Sequence, residues 1–167
     1  MDLPRRKANR LPDYDYSQPG CYFITICTQG RLRLLWEREP SGSSVGAACG
    51  RPPLSRLGFV VKREIARLHH TYPVLTVEKY VIMSNHVHLL LRISQTGDGR
   101  PLAAPTIAQA INQFKGAAAK AAGHPIWQKG YHDHVVRNDA DYLRIWSYID
   151  TNPAKWREDC YFTETEE

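Results

Sequence analysis

Apolar and polar positions change period several times along the chain, and each change marks an element. Cys21 to Thr28 is a run of aromatic and β-branched residues with the composition of a central strand, and Gln29 to Trp36 reads as a ragged extension of it. Glu37 to Pro53, with Ser-Gly-Ser-Ser and Pro-Pro, is a surface loop. From Leu54 to His70, Leu57, Val60, Val61, Ile65 and Leu68 recur at helical spacing between Lys62, Arg63 and Arg67, predicting an amphipathic helix with a basic outer face. Val74 to Met83 and His86 to Ile93 are two strands around a break at Ser84-Asn85. A Gly/Pro-rich loop over 95–105 precedes a second helix, Thr106 to Ala122, capped by Thr106 and stopped by Gly123. Trp127 to Arg137 supplies a fourth strand with its entry, and Asp139 to Asn152 a third helix with acidic residues in its first turn.

The order β-α-β-β-α-β-α matches an α+β, ferredoxin-like split βαβ arrangement with an antiparallel sheet and a trailing helix. Its 167 residues, 43% of them hydrophobic, suffice for one core. The expected organisation is a basic arm over 1–19, a domain over 20–157 and an acidic tail over 158–167. A formal charge of +5 favours an anionic partner, nucleic acid before others. The start lacks an apolar leader and no apolar run approaches a membrane span, so the expectation is a soluble, cytoplasmic, nucleoid-associated protein without a membrane partner. Cys21, Cys27, Cys49 and Cys160 show no Cys-x-x-Cys spacing, which argues against a zinc knuckle or a disulfide framework.

Two stretches carry candidate chemistry. His86 and His88 lie two apart on a predicted strand, so both imidazoles share a face and form half of a metal site, while Val87, Leu89 and Leu91 point to the core. The same spacing recurs at His132 and His134, so the triplet alone decides nothing. On the third helix, Tyr142, Leu143, Trp146 and Ile149 read as packing, whereas Ile145, Tyr148 and Asn152 form another stripe. Tyr148 and Asn152, one turn apart, add a phenol and an amide oxygen to the imidazoles, although periodicity alone reads Tyr148 first as a packing aromatic.

Tyr80-Val-Ile-Met-Ser-Asn-His-Val-His-Leu-Leu-Leu91, Trp127-Gln-Lys-Gly-Tyr-His-Asp-His-Val-Val-Arg137 and Tyr148-Ile-Asp-Thr-Asn-Pro153, in this order, resemble the one-tyrosine HUH single-strand DNA transposases, and within them the REP-associated tyrosine transposases. The likeness runs from about Cys21 to Trp156. It implies Mg2+ or Mn2+ held by His86, His88 and Asn152, and attack on single-stranded DNA at hairpin sites by Tyr148 through a 5′-phosphotyrosine. Ser84 departs from the usual proline, and the 37–53 loop is longer than the family suggests. Tyr131, His132 and His134 are then DNA-facing or scaffold residues, with Trp127 open to a packing role; Arg5, Arg6, Lys7 and Arg137 are candidate phosphate contacts. A homodimer exchanging the tyrosine helix and a monomer both fit. The competing readings are a non-catalytic regulatory protein that grips a DNA or RNA hairpin, and a zinc hydrolase built on His132 and His134, for which Asp133 alone supplies too little.

Overall fold

The computed structural model describes residues 18–37, 52–94 and 106–162. Within them run β1 (Gly20–Cys27), α1 (Arg56–Thr71), β2 (Leu75–Ile82), β3 (His86–Ile93), α2 (Ile107–Ala122), β4 (His132–Val136) and α3 (Asp139–Thr151). The strands form one antiparallel sheet in the order β2-β3-β1-β4, the α+β arrangement expected from the chain order.

Both sheet faces are covered, which is why β1 and β3 are apolar almost throughout. Tyr22, Ile24 and Ile26 of β1 and Val87, Leu89, Leu91 and Ile93 of β3 join Val61, Ile65 and Leu68 of α1 and Ile107, Ile111 and Phe114 of α2 in the larger core. The alternate residues face α3: Cys21, Val81, Met83 and Leu90 pack with Ile145 and Ile149 in a smaller cluster. His86 and His88 sit in the same file as Leu90, so the strand period that fills the first core places both imidazoles on the α3 side.

Local details change or sharpen the expectations. The residues after β1 do not extend it: Gly30 (φ 61°) and Arg31 (φ 56°) enter the left-handed region and turn the chain through a 3-10 turn at Gln29–Arg31. β4 begins only at His132, while Trp127 makes a single bridge to Thr28 and buries its ring near Phe114, the centroids 5.7 Å apart. Tyr131 is likewise buried in the larger core. On α3, Leu143 is 63% exposed, and Ile145 with Ile149 supplies the buried stripe, flanked by Tyr142 and Trp146.

α1 starts where three bonds of Ser55 converge, one of them from its N–H to the Leu35 carbonyl at 3.0 Å. Ser55 caps the helix by accepting from the Gly58 N–H at 3.0 Å, and its own hydroxyl donates to the Leu34 carbonyl at 2.6 Å. This draws Leu35 onto the first turn so closely that a Cβ at Gly58 would lie 2.1 Å from the Leu35 carbonyl oxygen. Gly58→Ala is therefore expected to lower stability by about 1–3 kcal/mol, read from urea unfolding, rather than raise it as an alanine normally does within a helix.

Candidate functional site: a buried histidine pair under the third helix

Register places Thr25 opposite His88 and Cys27 opposite His86, and these pairs decide how the imidazoles are held. Thr25 Oγ1 lies 2.8 Å from His88 Nδ1. Asn85 is fully buried in the turn before β3; its Nδ2 donates to the carbonyls of Arg31 at 3.2 Å and Tyr161 at 2.9 Å. Its Oδ1 must then be the acceptor for His86 Nδ1 at 2.8 Å, so His86 carries its proton on Nδ1 and presents the Nε2 lone pair. The two Nε2 atoms face each other at 3.0 Å. Burial, helped by the Arg31 charge, pushes the His86 pKa down to about 3, and burial together with His86 holds His88 well below its ordinary value of 6.5.

α3 crosses this pair. Tyr148 brings its hydroxyl to 3.3 Å from His88 Nε2, and Phe23 packs beside both rings. Asn152, the C-cap of α3, is buried, as the spacing to Tyr148 requires. Beyond it the chain turns back through Trp156–Glu158 and lays residues 159–161 over the histidines. Asp159 Oδ2 accepts from Tyr148 at 3.0 Å and from Asn152 Nδ2 at 2.6 Å, while Oδ1 accepts from the Tyr161 N–H at 2.7 Å. The Tyr161 ring lies 4.8 Å from His86.

His86, His88 and Asp159 offer three ligand atoms within 4.8 Å of one another, and such a cluster can hold a metal ion. Two observations fit a divalent cation. Two Nε2 atoms 3.0 Å apart have the separation of neighbouring ligands at right angles around an ion with bonds of about 2.1 Å. Asn152 Oδ1 is also buried with no hydrogen-bond partner among the described residues. Thr25 can accept from or donate to His88 Nδ1, so either His88 tautomer is accommodated.

Sequence spacing pairs His86 with His88 and Tyr148 with Asn152, and the family resemblance joins the two pairs, but neither points to Asp159, Asn85 or Thr25. Asp159 lies within the stretch read as an acidic tail, and its only signal is an acidic residue seven positions beyond Asn152, past the Pro153 break. His132 and His134 share the sheet face of Phe23 and Thr25 but are exposed on the outer strand; His134 Nε2 is tied to Asp141 at 2.7 Å, away from the cluster. Arg137 is exposed just past β4. Arg5, Arg6 and Lys7 lie outside the described residues.

No family model matches the chain. It is 28% identical over 181 aligned residues to a Haemophilus influenzae protein of unassigned function, spanning 97% of this chain and 96% of that protein. A second Haemophilus influenzae protein, provisionally named a REP-associated tyrosine transposase, is 27% identical over 152 residues, 84% of this chain and 74% of its own length. A solved REP-associated tyrosine transposase bound to a REP hairpin superposes with a TM-score of 0.56 at 19% identity, covering 88% of this chain and 74% of that one. The chain has the fold of a REP-associated tyrosine transposase.

On this fold, the tyrosine of the third helix is held as the protonated phenol. Burial raises its pKa, and the Asp159 charge and hydrogen bond raise it further, so at neutral pH the proton stays on Tyr148. Asp159→Asn should lower the pH at which Tyr148 ionises, seen by ultraviolet difference titration against Tyr148→Phe.

The histidines set a second pH dependence in metal-free protein. Above their ordinary value of 6.5 both folded and unfolded forms are neutral and stability is flat. As pH falls below 6.5 the unfolded chain takes up protons that the buried imidazoles refuse, so stability should fall by up to about 1.4 kcal/mol per unit for each histidine, for His86 down to about pH 3. Denaturant melts in chelator across this window should show the slope, and His86→Gln should flatten it.

Proposed function

We propose that the chain is a metal-dependent tyrosine transposase that nicks and rejoins single-stranded DNA beside a hairpin through a 5′-phosphotyrosine intermediate. The observation that carries this reading is the Tyr148 hydroxyl, 3.3 Å from His88 Nε2 and bonded to the Asp159 carboxylate, above a pair of imidazoles fixed by Thr25 and Asn85. The similarity to a REP-associated tyrosine transposase, and the REP hairpin bound by the solved one, support DNA as the substrate.

His86, His88 and a side-chain oxygen from Asp159 or Asn152 would hold Mg2+ or Mn2+, which bound there supplies positive charge against a phosphate whose negative charge grows during displacement. Tyr148 supplies the nucleophile. Its proton already points at Asp159 Oδ2, so that carboxylate is placed to take it as the phenol oxygen bonds to phosphorus. The bond to the 3′ oxygen breaks and that oxygen takes a proton from water, leaving a free 3′-OH and the 5′ phosphate on Tyr148. Attack on that ester by another 3′-OH reverses the chemistry, returns the proton to the tyrosine and needs no nucleotide triphosphate. Tyr148 and the histidines meet within one chain, which supports action in cis without a second copy. No helix among the described residues is long and apolar enough to cross a membrane.

The experiment incubates the protein with labelled stem-loops from inverted repeats near its own coding sequence, with Mn2+ or Mg2+, and looks for a denaturation-resistant adduct. The adduct should require metal, vanish in Tyr148→Phe, and fall at least about a hundredfold in His86→Ala. Tight binding of stem-loops without adduct or nicking in either metal would instead establish a hairpin-binding regulator.

A further inference from the structure

The backbone is strained at one residue beside the histidines. Arg31, with φ at 56°, is the single residue other than glycine in the left-handed region among the described residues, and it follows Gly30 at 61°. Such a position ordinarily goes to glycine or asparagine, and an arginine persists there only where its surroundings require it. Ion pairing does not supply the reason: Arg31 pairs with no carboxylate among the described residues.

The contacts of Arg31 converge instead on one side chain. The turn that carries it is bound to the backbone of Asn85, whose carbonyl accepts from the Thr28 N–H at 2.9 Å and the Thr28 hydroxyl at 3.0 Å. With that backbone fixed, the Asn85 amide still has two orientations, related by exchange of its oxygen and nitrogen. Its Nδ2 has two hydrogens and two acceptors, the carbonyls of Arg31 at 3.2 Å and Tyr161 at 2.9 Å. Arg31 bears on both. The first is its own carbonyl, aimed by the left-handed turn. The second belongs to the residue whose ring lies under the Arg31 guanidinium, 5.3 Å from the ring centroid. Turned the other way, the amide would set its oxygen against two carbonyl oxygens and an N–H against His86 Nδ1, forcing the imidazole proton onto Nε2.

We propose that Arg31 is a positioning residue for the histidine pair: its left-handed carbonyl and its guanidinium on Tyr161 together hold the Asn85 amide in the orientation that keeps His86 Nε2 free to bind a cation. Arginine stands where glycine would be free of strain because both its backbone and its side chain are used. The inference rests on the metal reading of the site, and on no reaction with DNA. Charge alone predicts the opposite outcome. The Arg31 charge adds to burial in lowering the His86 pKa, so it is felt at the site, and its removal by itself should tighten cation binding. Lost positioning should weaken it.

The test uses the full chain and two readouts. Nitrogen NMR of the imidazoles in metal-free protein reports the His86 tautomer, and the EPR signal of free Mn2+ gives the affinity for that ion. Arg31→Gly keeps the left-handed turn and removes the guanidinium, whereas Arg31→Val also resists a positive φ because it is β-branched. Mn2+ binding should weaken at least about threefold in Arg31→Gly and roughly tenfold in Arg31→Val, with His86 protonated on Nε2 in part of the population. Asn85→Ala should weaken it roughly tenfold, and Arg31→Gly added to that variant should change little further. Arg31→Gly relieves backbone strain, so it keeps the test decisive if Arg31→Val fails to fold. Unchanged or tighter Mn2+ binding in Arg31→Gly, or a full Arg31 effect that persists without the Asn85 amide, would overturn the assignment. Adduct formation by the unaltered protein is read apart: these Arg31 effects on Mn2+ without any adduct sink the transposase reading and spare Arg31, and an adduct with Mn2+ binding unchanged in Arg31→Gly does the reverse.

Discussion

Everything at the site depends on two imidazoles placed where water cannot solvate a charge. Burial keeps His86 and His88 neutral, and neutral imidazoles keep lone pairs available for a cation. Facing lone pairs at 3.0 Å are tolerable only if the opposite ring nitrogens are anchored and something positive, a proton or an ion, sits between them. Asn85 provides one anchor and Thr25 the other, and both are buried because the rings they serve are buried. The antiparallel register that sets Thr25 against His88 is thus a part of the chemistry.

The sheet accommodates this polar cluster by dividing its faces unequally. One face carries α1 and α2 and is apolar on its inner strands, with Asp133 of the outer strand β4 beside Ile24; the other is apolar only where α3 rests its Ile145 and Ile149. The rest of that face is left to His86, His88 and the aromatic rings of Phe23, Tyr148, Trp156 and Tyr161. Aromatic rings suit such a border, since they exclude water while tolerating polar edges. The same rings continue through Trp36 to a groove along β2, so the histidine site and this groove share one aromatic floor.

Asp159 ties the centre to the chain beyond α3. It holds the tyrosine proton and the Asn152 amide at once, and its backbone neighbour Tyr161 covers His86 and accepts from Asn85. A carboxylate there raises the Tyr148 pKa and, in the proposed reaction, takes the tyrosine proton. These effects oppose each other at rest and cooperate once positive charge is nearby to favour the phenolate.

Short-range spacing determined much of this in advance. Two residues apart on a strand and four apart on a helix are distances that backbone geometry enforces, so His86 with His88, and Tyr148 with Asn152, were legible as pairs, as was the β-α-β-β-α-β-α order. The breadth of the packing stripe on α3 was legible less well: Leu143 belongs to it by period but points to solvent, because the sheet reaches only the side bearing Ile145 and Ile149. Only tertiary structure brought Thr25 and Asp159 to the imidazoles, turned the amide of Asn85 by setting the Arg31 and Tyr161 carbonyls against it, and brought Trp36, Lys62 and Trp146 to one groove. Those meetings follow from strand register and from a chain reversal after Asn152. Thr25 and His88 alone lie 63 residues apart, and no local period records which of many distant side chains will complete a buried polar shell.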